Sequence, residues 1–78
     1  MAEFYVTIRS MEQVQQFVSC ATVQPFEVYA GNEHQWINAK DLMGMFSLDY
    51  SRPLRISAEC ADTDLERFRS EVQRRVQP

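Results

Sequence analysis

Few side chains in this 78-residue chain are of the types that act as nucleophiles or metal ligands. His34 is the single histidine, and Cys20 and Cys60 are the two cysteines. The cysteines are too few for a disulfide framework and match no metal-binding spacing, so each is interpreted as a small, partly buried apolar residue. Phosphoryl transfer through an imidazole requires a positioned nitrogen among groups that stabilise an anion. The residues beside His34 supply no such groups, so we interpret it as a surface histidine next to a turn.

The least usual segment of the chain places a carboxylate before a dense apolar run. Asp41 precedes Leu42-Met43-Gly44-Met45-Phe46-Ser47-Leu48, in which five of the seven residues are apolar. Asp is among the best helix N-caps, worth about 1 kcal/mol relative to Ala, so a short helix is predicted over 41–48. At helical spacing residues 42, 45 and 46 share one face, whereas Met43 and Leu48 point elsewhere. Some of these side chains are therefore expected to pack sideways or to lie in water.

Composition narrows the classes of function. A net charge of -3 and a pI near 5.0 argue against binding to nucleic acid or to an acidic membrane. Four arginines near the end of the chain alternate with Glu66 and Glu71, which is typical of a solvated helix face rather than a phosphate-binding stripe. No apolar run approaches the ~18 residues of a membrane span, and no signal peptide is evident. We expect one cytoplasmic domain over residues 1–78, with no cofactor and no metal.

Hydrophobic periodicity predicts four strands and three helices. Alternating apolar and polar residues predict strands at 3–9, 26–30, 34–37 and 54–59, with Gly31-Asn32-Glu33 as a hairpin turn. Capping boxes begin the long helices at Ser10 with Gln13 and at Thr63 with Glu66, and the first helix ends before Pro25. The predicted apolar stripes are Met11, Val14, Phe17, Val18 and Ala21 in the first helix and Leu65, Phe68, Val72 and Val76 in the last.

This β-α-β-β-α-β-α order predicts an α+β fold. The economical arrangement is an open-faced β-sandwich, in which helices cover one face of a four-stranded, mainly antiparallel sheet and water covers the other. Trp36 and Tyr29 are expected to cover the edge of the core near the hairpin. The side chains expected on the open face are Tyr5, Thr7, Arg9, Glu27, Arg55, Ser57 and Glu59.

The segment that begins at Asn38 resembles a known family. It reads Asn38-x-Lys40-x-Leu42-Met43-Gly44-Met45-Phe46-Ser47-Leu48 and leads to Leu54-Arg55-Ile56-Ser57-Ala58. This pattern resembles HPr, the histidine-containing phosphocarrier protein family of the bacterial sugar phosphotransferase system, in which a similar segment forms the short helix before the last strand. The resemblance extends from Val28 to the end of the chain and, more weakly, over 4–18. It implies a single HPr-like domain with the same open-faced βαββαβα fold.

The catalytic motif of that family is missing. HPr proteins carry a phosphorylatable histidine just before their first helix, followed by Arg and Pro. The corresponding junction here is Ile8-Arg9-Ser10-Met11-Glu12, with no histidine and no Arg-Pro pair. Glu12 places a carboxylate in the first helical turn, where a phosphate would need positive charge. The resemblance therefore implies a divergent member with no catalytic residue and no enzymatic activity.

Asp41 occupies the position of a serine that a kinase phosphorylates in gram-positive HPr proteins. Phosphoserine carries a charge of about -1.5 to -2 at neutral pH, and an aspartate carries a single negative charge. Asp41 is thus either a fixed, partial mimic of the modified serine or an ordinary helix N-cap. One carboxylate could serve both purposes, and the sequence leaves both interpretations open.

The resemblance also implies a partner-binding surface. In HPr proteins the residues that match Leu42 and Phe46 are partly exposed and contact enzymes and regulators, while the residue that matches Met45 points into the core. Leu42, Met43 and Phe46 are therefore candidate partner-binding residues, with Arg52 as a rim contact. The alternative is that these apolar side chains simply fill the core of a small domain.

Three hypotheses for function follow from these patterns. The first is a non-catalytic regulatory or protein-interaction domain related to the phosphotransferase system, which docks a regulator, a kinase or a phosphotransferase-system enzyme through the helix at 41–48. The second is a working phosphocarrier with an unrecognised phosphorylation site, such as His34. The third is a domain that assembles only with itself as a homo-oligomer.

Overall fold

The computed structural model describes residues 2–32 and 34–76. The predicted element order is confirmed, and individual ends differ from the predicted ones by one to three residues. Glu33, the last residue of the predicted hairpin turn, lies outside the described residues. The elements are β1 (Ala2–Val6), α1 (Met11–Thr22), β2 (Val28–Gly31), β3 (Trp36–Asn38), α2 (Leu42–Met45), β4 (Leu54–Ala58) and α3 (Asp62–Arg75).

The four strands form one antiparallel sheet in which β4 lies in the interior. The strand order is β1-β4-β2-β3, so the last strand in sequence pairs with both the first and the second. In register, Phe4 of β1 lies opposite Ile56 of β4, which lies opposite Ala30 of β2. β1 and β2 therefore run in the same direction on the two sides of β4, as in a split βαβ unit. This is the open-faced α+β fold that the sequence predicted.

The aromatic ring of Phe68 joins parts of the core that are far apart in sequence. Its centroid lies 5.7 Å from that of Phe4, 6.0 Å from Phe26 and 6.3 Å from Phe17. The first two pairs are edge-on, with interplanar angles of 73° and 79°, which is a favoured geometry for aromatic rings. One α3 side chain thus connects β1, α1 and the segment before β2.

The start of α1 follows the predicted capping pattern and is also tied to the end of α3. The Ser10 hydroxyl accepts the Gln13 backbone N–H at 3.2 Å, and the Gln13 side-chain oxygen accepts the Arg9 backbone N–H at 2.6 Å. The Gln13 side-chain nitrogen donates to the Val76 carbonyl at 2.9 Å. One amide therefore satisfies groups at two helix ends that would otherwise lack partners.

The start of α3 differs from the prediction. Ala61 occupies the N-cap and no side chain caps the helix, so the capping box of Thr63 and Glu66 is wrong. Asp62 and Asp64 instead place two carboxylates in the first turn, where the helix dipole favours negative charge.

The α3 arginines form ion pairs within the helix, in agreement with a solvated face; the pairs are Arg67–Asp64, Arg69–Glu66, Arg74–Glu71 and Arg75–Glu71.

Met11 and Ser57 differ in burial from the prediction. Met11, the first residue of α1, exposes 56% of its surface, and the buried stripe begins at Val14. Ser57 was expected on the open face in water but is buried. It is a short side chain on the interior strand, and the larger Glu3 and Tyr29 lie opposite it on the two neighbouring strands.

Phe68→Ala should destabilise the protein by about 3–5 kcal/mol, the usual cost of removing a buried phenyl ring. A 78-residue domain has a free energy of unfolding of roughly 4–12 kcal/mol, so the variant should lose a quarter or more of its stability. Urea denaturation measures the loss. Val23→Ala, at a 72% exposed position, is the control and should change stability by less than about 0.5 kcal/mol. A loss of similar size in both variants would contradict the packing around Phe68.

Candidate functional site

Polar contacts hold the segment that leads into α2. The Asn38 side-chain oxygen accepts the Lys40 backbone N–H at 2.9 Å, and the Lys40 ammonium donates to the Gln24 carbonyl at 2.9 Å. The Asp41 carboxylate then accepts the Gly44 backbone N–H at 3.2 Å. The prediction that Asp41 is a helix N-cap is confirmed, and its role as a mimic of phosphoserine stays a prediction.

Gly44 lets α2 approach the sheet closely. A Cβ atom at this position would lie 2.8 Å from the Ile37 Cγ2 atom and 2.9 Å from the Asp41 Oδ2 atom. Both distances are shorter than van der Waals contact, so a larger residue would push the helix away from β3 or displace the capping carboxylate. The close packing of the short helix against β3 therefore depends on glycine at position 44.

The apolar residues of α2 divide into a buried set and an exposed set. Met45 is fully buried, and Phe46 is half-buried against the core. Leu42 exposes 37% of its surface and Met43 exposes 79%. We name Asp41, Leu42, Met43 and the exposed part of Phe46 the α2 patch. Its members are four of the five site residues predicted from the sequence.

Leu48, which was expected to lie off the face shared by residues 42, 45 and 46, is buried and packs into the core. After Met45 the backbone hydrogen bonds span three residues instead of four. The Ser47 N–H donates to the Gly44 carbonyl at 3.0 Å, and the Leu48 N–H donates to the Met45 carbonyl at 3.3 Å. This tighter turn changes the angular spacing of side chains and rotates Leu48 inward.

Burial of Tyr50, whose hydroxyl donates to the Met45 carbonyl, raises the pKa of Tyr50 to about 12.

The start of α1, where HPr proteins carry their histidine, contains no imidazole. Arg9, Ser10, Met11 and Glu12 are all exposed there. His34 is also exposed, but it follows the β2 strand and lines a cleft on the open face of the sheet.

The open face of the sheet has a cleft of about 450 Å³. Strand register aligns Tyr5, Arg55, Gly31 and Trp36 in one row across all four strands. The Arg55 guanidinium lies 4.8 Å from the centroid of the Trp36 ring, a cation–π contact. The lining residues are Tyr5, Gly31, Asn32, His34, Asp49, Ser51, Arg52, Pro53 and Arg55.

Gly31 makes this row possible. A Cβ atom there would lie 2.2 Å from the Gln35 backbone oxygen and 3.1 Å from the Trp36 ring. Without a side chain at Gly31, Arg55 can reach across β2 to Trp36 on β3. Trp36 exposes 43% of its surface on this face, so the expectation that it covers the edge of the core is wrong.

Arg52, the fifth predicted site residue, lines the open-face cleft with Asp49 and Ser51. The Ser51 backbone N–H donates to the Asp49 carboxylate at 2.9 Å, and this hydrogen bond lowers the pKa of the Asp49 carboxyl. The structure thus gathers four predicted residues on α2 and places the fifth at the cleft. Sequence reasoning missed the cleft because it depends on strand register; the available signal was the alternation that puts Tyr5 and Arg55 on the open face.

The sequence matches no family model and no curated protein sequence in the comparisons with known proteins. In residues 2–32 and 34–76, no helix combines the length and apolar character needed to cross a membrane. Within the same residues, no group of three or more His, Cys, Asp or Glu side chains is placed to hold a metal ion.

Gly44→Ala should destabilise the protein, although Ala favours helix formation over Gly by roughly 1 kcal/mol. The added methyl group would collide with Ile37 and with the Asp41 carboxylate, and the resulting strain is expected to cost about 1–3 kcal/mol. Thermal unfolding followed by circular dichroism measures the balance. Met43→Ala, on the exposed side of the same helix, should leave the midpoint almost unchanged. A stabilised Gly44→Ala variant would show that α2 is not held this closely.

Tyr50→Phe should change how stability depends on alkaline pH. The pKa of Tyr50 is about 12 in the folded protein, against about 10 for an unperturbed tyrosine. The unfolded state therefore loses this proton first, and the wild-type protein loses stability as pH rises from about 10 to about 12. Below pH 10 the contribution of the Tyr50 hydroxyl to the free energy of unfolding is fully present. The stability difference between wild type and Tyr50→Phe should therefore be largest there and shrink above it. Urea denaturation across this range measures the difference, and a constant value would contradict the burial of Tyr50.

Proposed function

We propose that the protein is a non-catalytic, HPr-like regulatory domain that docks a protein partner through the α2 patch. The observation that supports this most directly is the 79% exposure of Met43 beside Leu42, which is 37% exposed. Met is a flexible and polarizable side chain that adapts to apolar pockets. The proposed site of action is the cytoplasm, where the phosphotransferase system of the resembled family operates.

The anchoring of α2 supports this proposal. Three contacts hold the helix: the Asp41 cap, the hydrogen bond from Lys40 to Gln24 and the close packing of Gly44 against Ile37. Met43 remains exposed to solvent. A rigid support reduces the entropy that a protein loses on binding. The backbone at Met43 is therefore held in a nearly fixed position, from which its flexible side chain can adapt to a partner.

The residues before α1 support a role without phosphoryl transfer. Ser10 and Gln13 engage backbone N–H groups at this helix start, and Glu12 adds a carboxylate to the first turn. Negative charge at this position opposes an incoming phosphate. A partner would accordingly recognise the surface of the protein rather than a transferred group.

The charge of the patch indicates the chemistry of the partner. Asp41 borders Leu42 and Met43, and the whole chain has a net charge of -3. The complementary surface is an apolar pocket with lysine or arginine at its rim, which would also steer association electrostatically. A regulator, a kinase or a phosphotransferase-system enzyme with such a pocket is the proposed partner.

The test compares Met43→Asp with Val23→Asp, a matched change at another exposed apolar residue. A protein captured by the wild type should be purified and its affinity measured for both variants and for Asp41→Asn. Met43→Asp should weaken binding by about 100-fold, as expected for a central apolar contact, and Asp41→Asn should reduce the salt dependence. Val23→Asp should bind like the wild type.

Equal binding by Met43→Asp and Val23→Asp would contradict docking through the α2 patch. Incubation with the general phosphotransferase enzyme and labelled phosphoenolpyruvate tests the phosphocarrier hypothesis directly. Acid-labile label on the protein would overturn the non-catalytic role, whereas the proposal expects none. Phe46→Ala is less suitable for the docking test because Phe46 also packs against the core.

A further inference from the structure

The open-face cleft is lined by two arginine side chains, Arg52 and Arg55. The Arg55 Nε atom is shielded from water and has no hydrogen-bond partner. This Nε atom lies 3.7 Å from the Glu3 carboxylate, which gives electrostatic attraction without a hydrogen bond. The Arg55 side chain is 42% exposed. Among residues 2–32 and 34–76, Arg52 forms no ion pair within 4.0 Å. Two guanidinium groups thus line one cleft, and each lies near a single carboxylate, Arg55 near Glu3 and Arg52 near Asp49.

The balance of charge in the cleft favours an anion. Arg52 and Arg55 line it together with one carboxylate, that of Asp49, whereas Glu3, which pairs with Arg55, is not among the lining residues. The Asp49 carboxylate accepts the Ser51 backbone N–H, which uses part of its hydrogen-bonding capacity within its own turn. Guanidinium groups bind carboxylates and phosphates through paired, charge-assisted hydrogen bonds.

The size and lining of the cleft fit a ligand larger than an inorganic ion. Its volume of about 450 Å³ falls within the range of small-molecule sites. Tyr5 exposes 68% of its surface and lies directly opposite Arg55 in the β1–β4 register. An aromatic ring beside a guanidinium group offers a stacking surface next to an anion-binding group.

We propose that the open-face cleft binds a small organic anion in which a planar aromatic ring carries a phosphate or carboxylate. The anionic group is held by Arg52 and Arg55, and the ring stacks on Tyr5. The Arg55 guanidinium is held in position by Trp36, across the space left by Gly31. This site lies on the sheet face away from the core and does not depend on docking through the α2 patch.

The test uses two complete probes and two partial ones. Adenosine 5′-monophosphate and 4-hydroxybenzoate each combine a ring with an anion, whereas adenosine and inorganic phosphate each supply one half. Calorimetry gives the affinities, and amide chemical shifts of Gly31, Asn32 and Ser51 locate the site. At least one complete probe should bind about tenfold more tightly than either partial one, as expected when two contacts act together. The better complete probe identifies whether a nucleotide or an aromatic acid is the natural class.

Matched arginine substitutions separate the cleft from general charge effects. Arg52→Gln and Arg55→Gln should each weaken the better probe by about tenfold, as expected for loss of a charge-assisted contact. Arg67→Gln on α3, where the side chain is 82% exposed, should have no effect. Arg52 is exposed, so its variant keeps the test informative even if Arg55→Gln fails to fold. Absence of binding by both complete probes, equal binding by phosphate, or equal loss in Arg67→Gln would each overturn the proposal.

Discussion

The position of β4 between β1 and β2 is the constraint on which the other features depend. Alternate residues of this strand face opposite sides, so Leu54 and Ile56 enter the core while Arg55 faces the cleft. A shift of one residue in either pairing would reverse these sides. The buried apolar face therefore sets the register, and the register in turn places Arg55 beside Tyr5 and across Gly31 from Trp36. Burial of apolar side chains on one side of the sheet thereby fixes which polar side chains line the cleft on the other.

The short helix α2 shows how tertiary contacts stabilise an element that is too small to form alone. Isolated helices need about 12–15 residues to be even marginally stable in water, and α2 has 4. Its start is held by Asp41 and by the contact of Lys40 with Gln24, and its end by the Tyr50 hydroxyl. Met45 anchors it in the core, so Met43 is displayed from a fixed backbone rather than from a mobile loop.

The segment between α2 and β4 links the two candidate surfaces. It begins at Phe46, whose exposed part belongs to the α2 patch, and ends at Pro53, which lines the cleft. Leu48 is buried between these ends and holds the segment against the core. The two surfaces differ in character, since an acidic and apolar patch lies at one end and a cleft with two arginines lies at the other. One protein segment therefore positions side chains for two different kinds of contact.

Local patterns in the sequence determined the element order, the Ser10 and Asp41 caps and the apolar stripes from Val14 and Leu65 onward, because capping and periodicity act within a few residues. Local patterns failed where distant groups decide the outcome. Ser57 is buried by neighbours on two other strands, and the Gln13 amide bonds to Val76 at the opposite end of the chain. The cleft was missed for the same reason, since Tyr5, Gly31, Trp36 and Arg55 meet only through strand pairing. Tertiary structure alone decided these positions, because hydrogen bonding between strands sets distances that sequence separation does not contain.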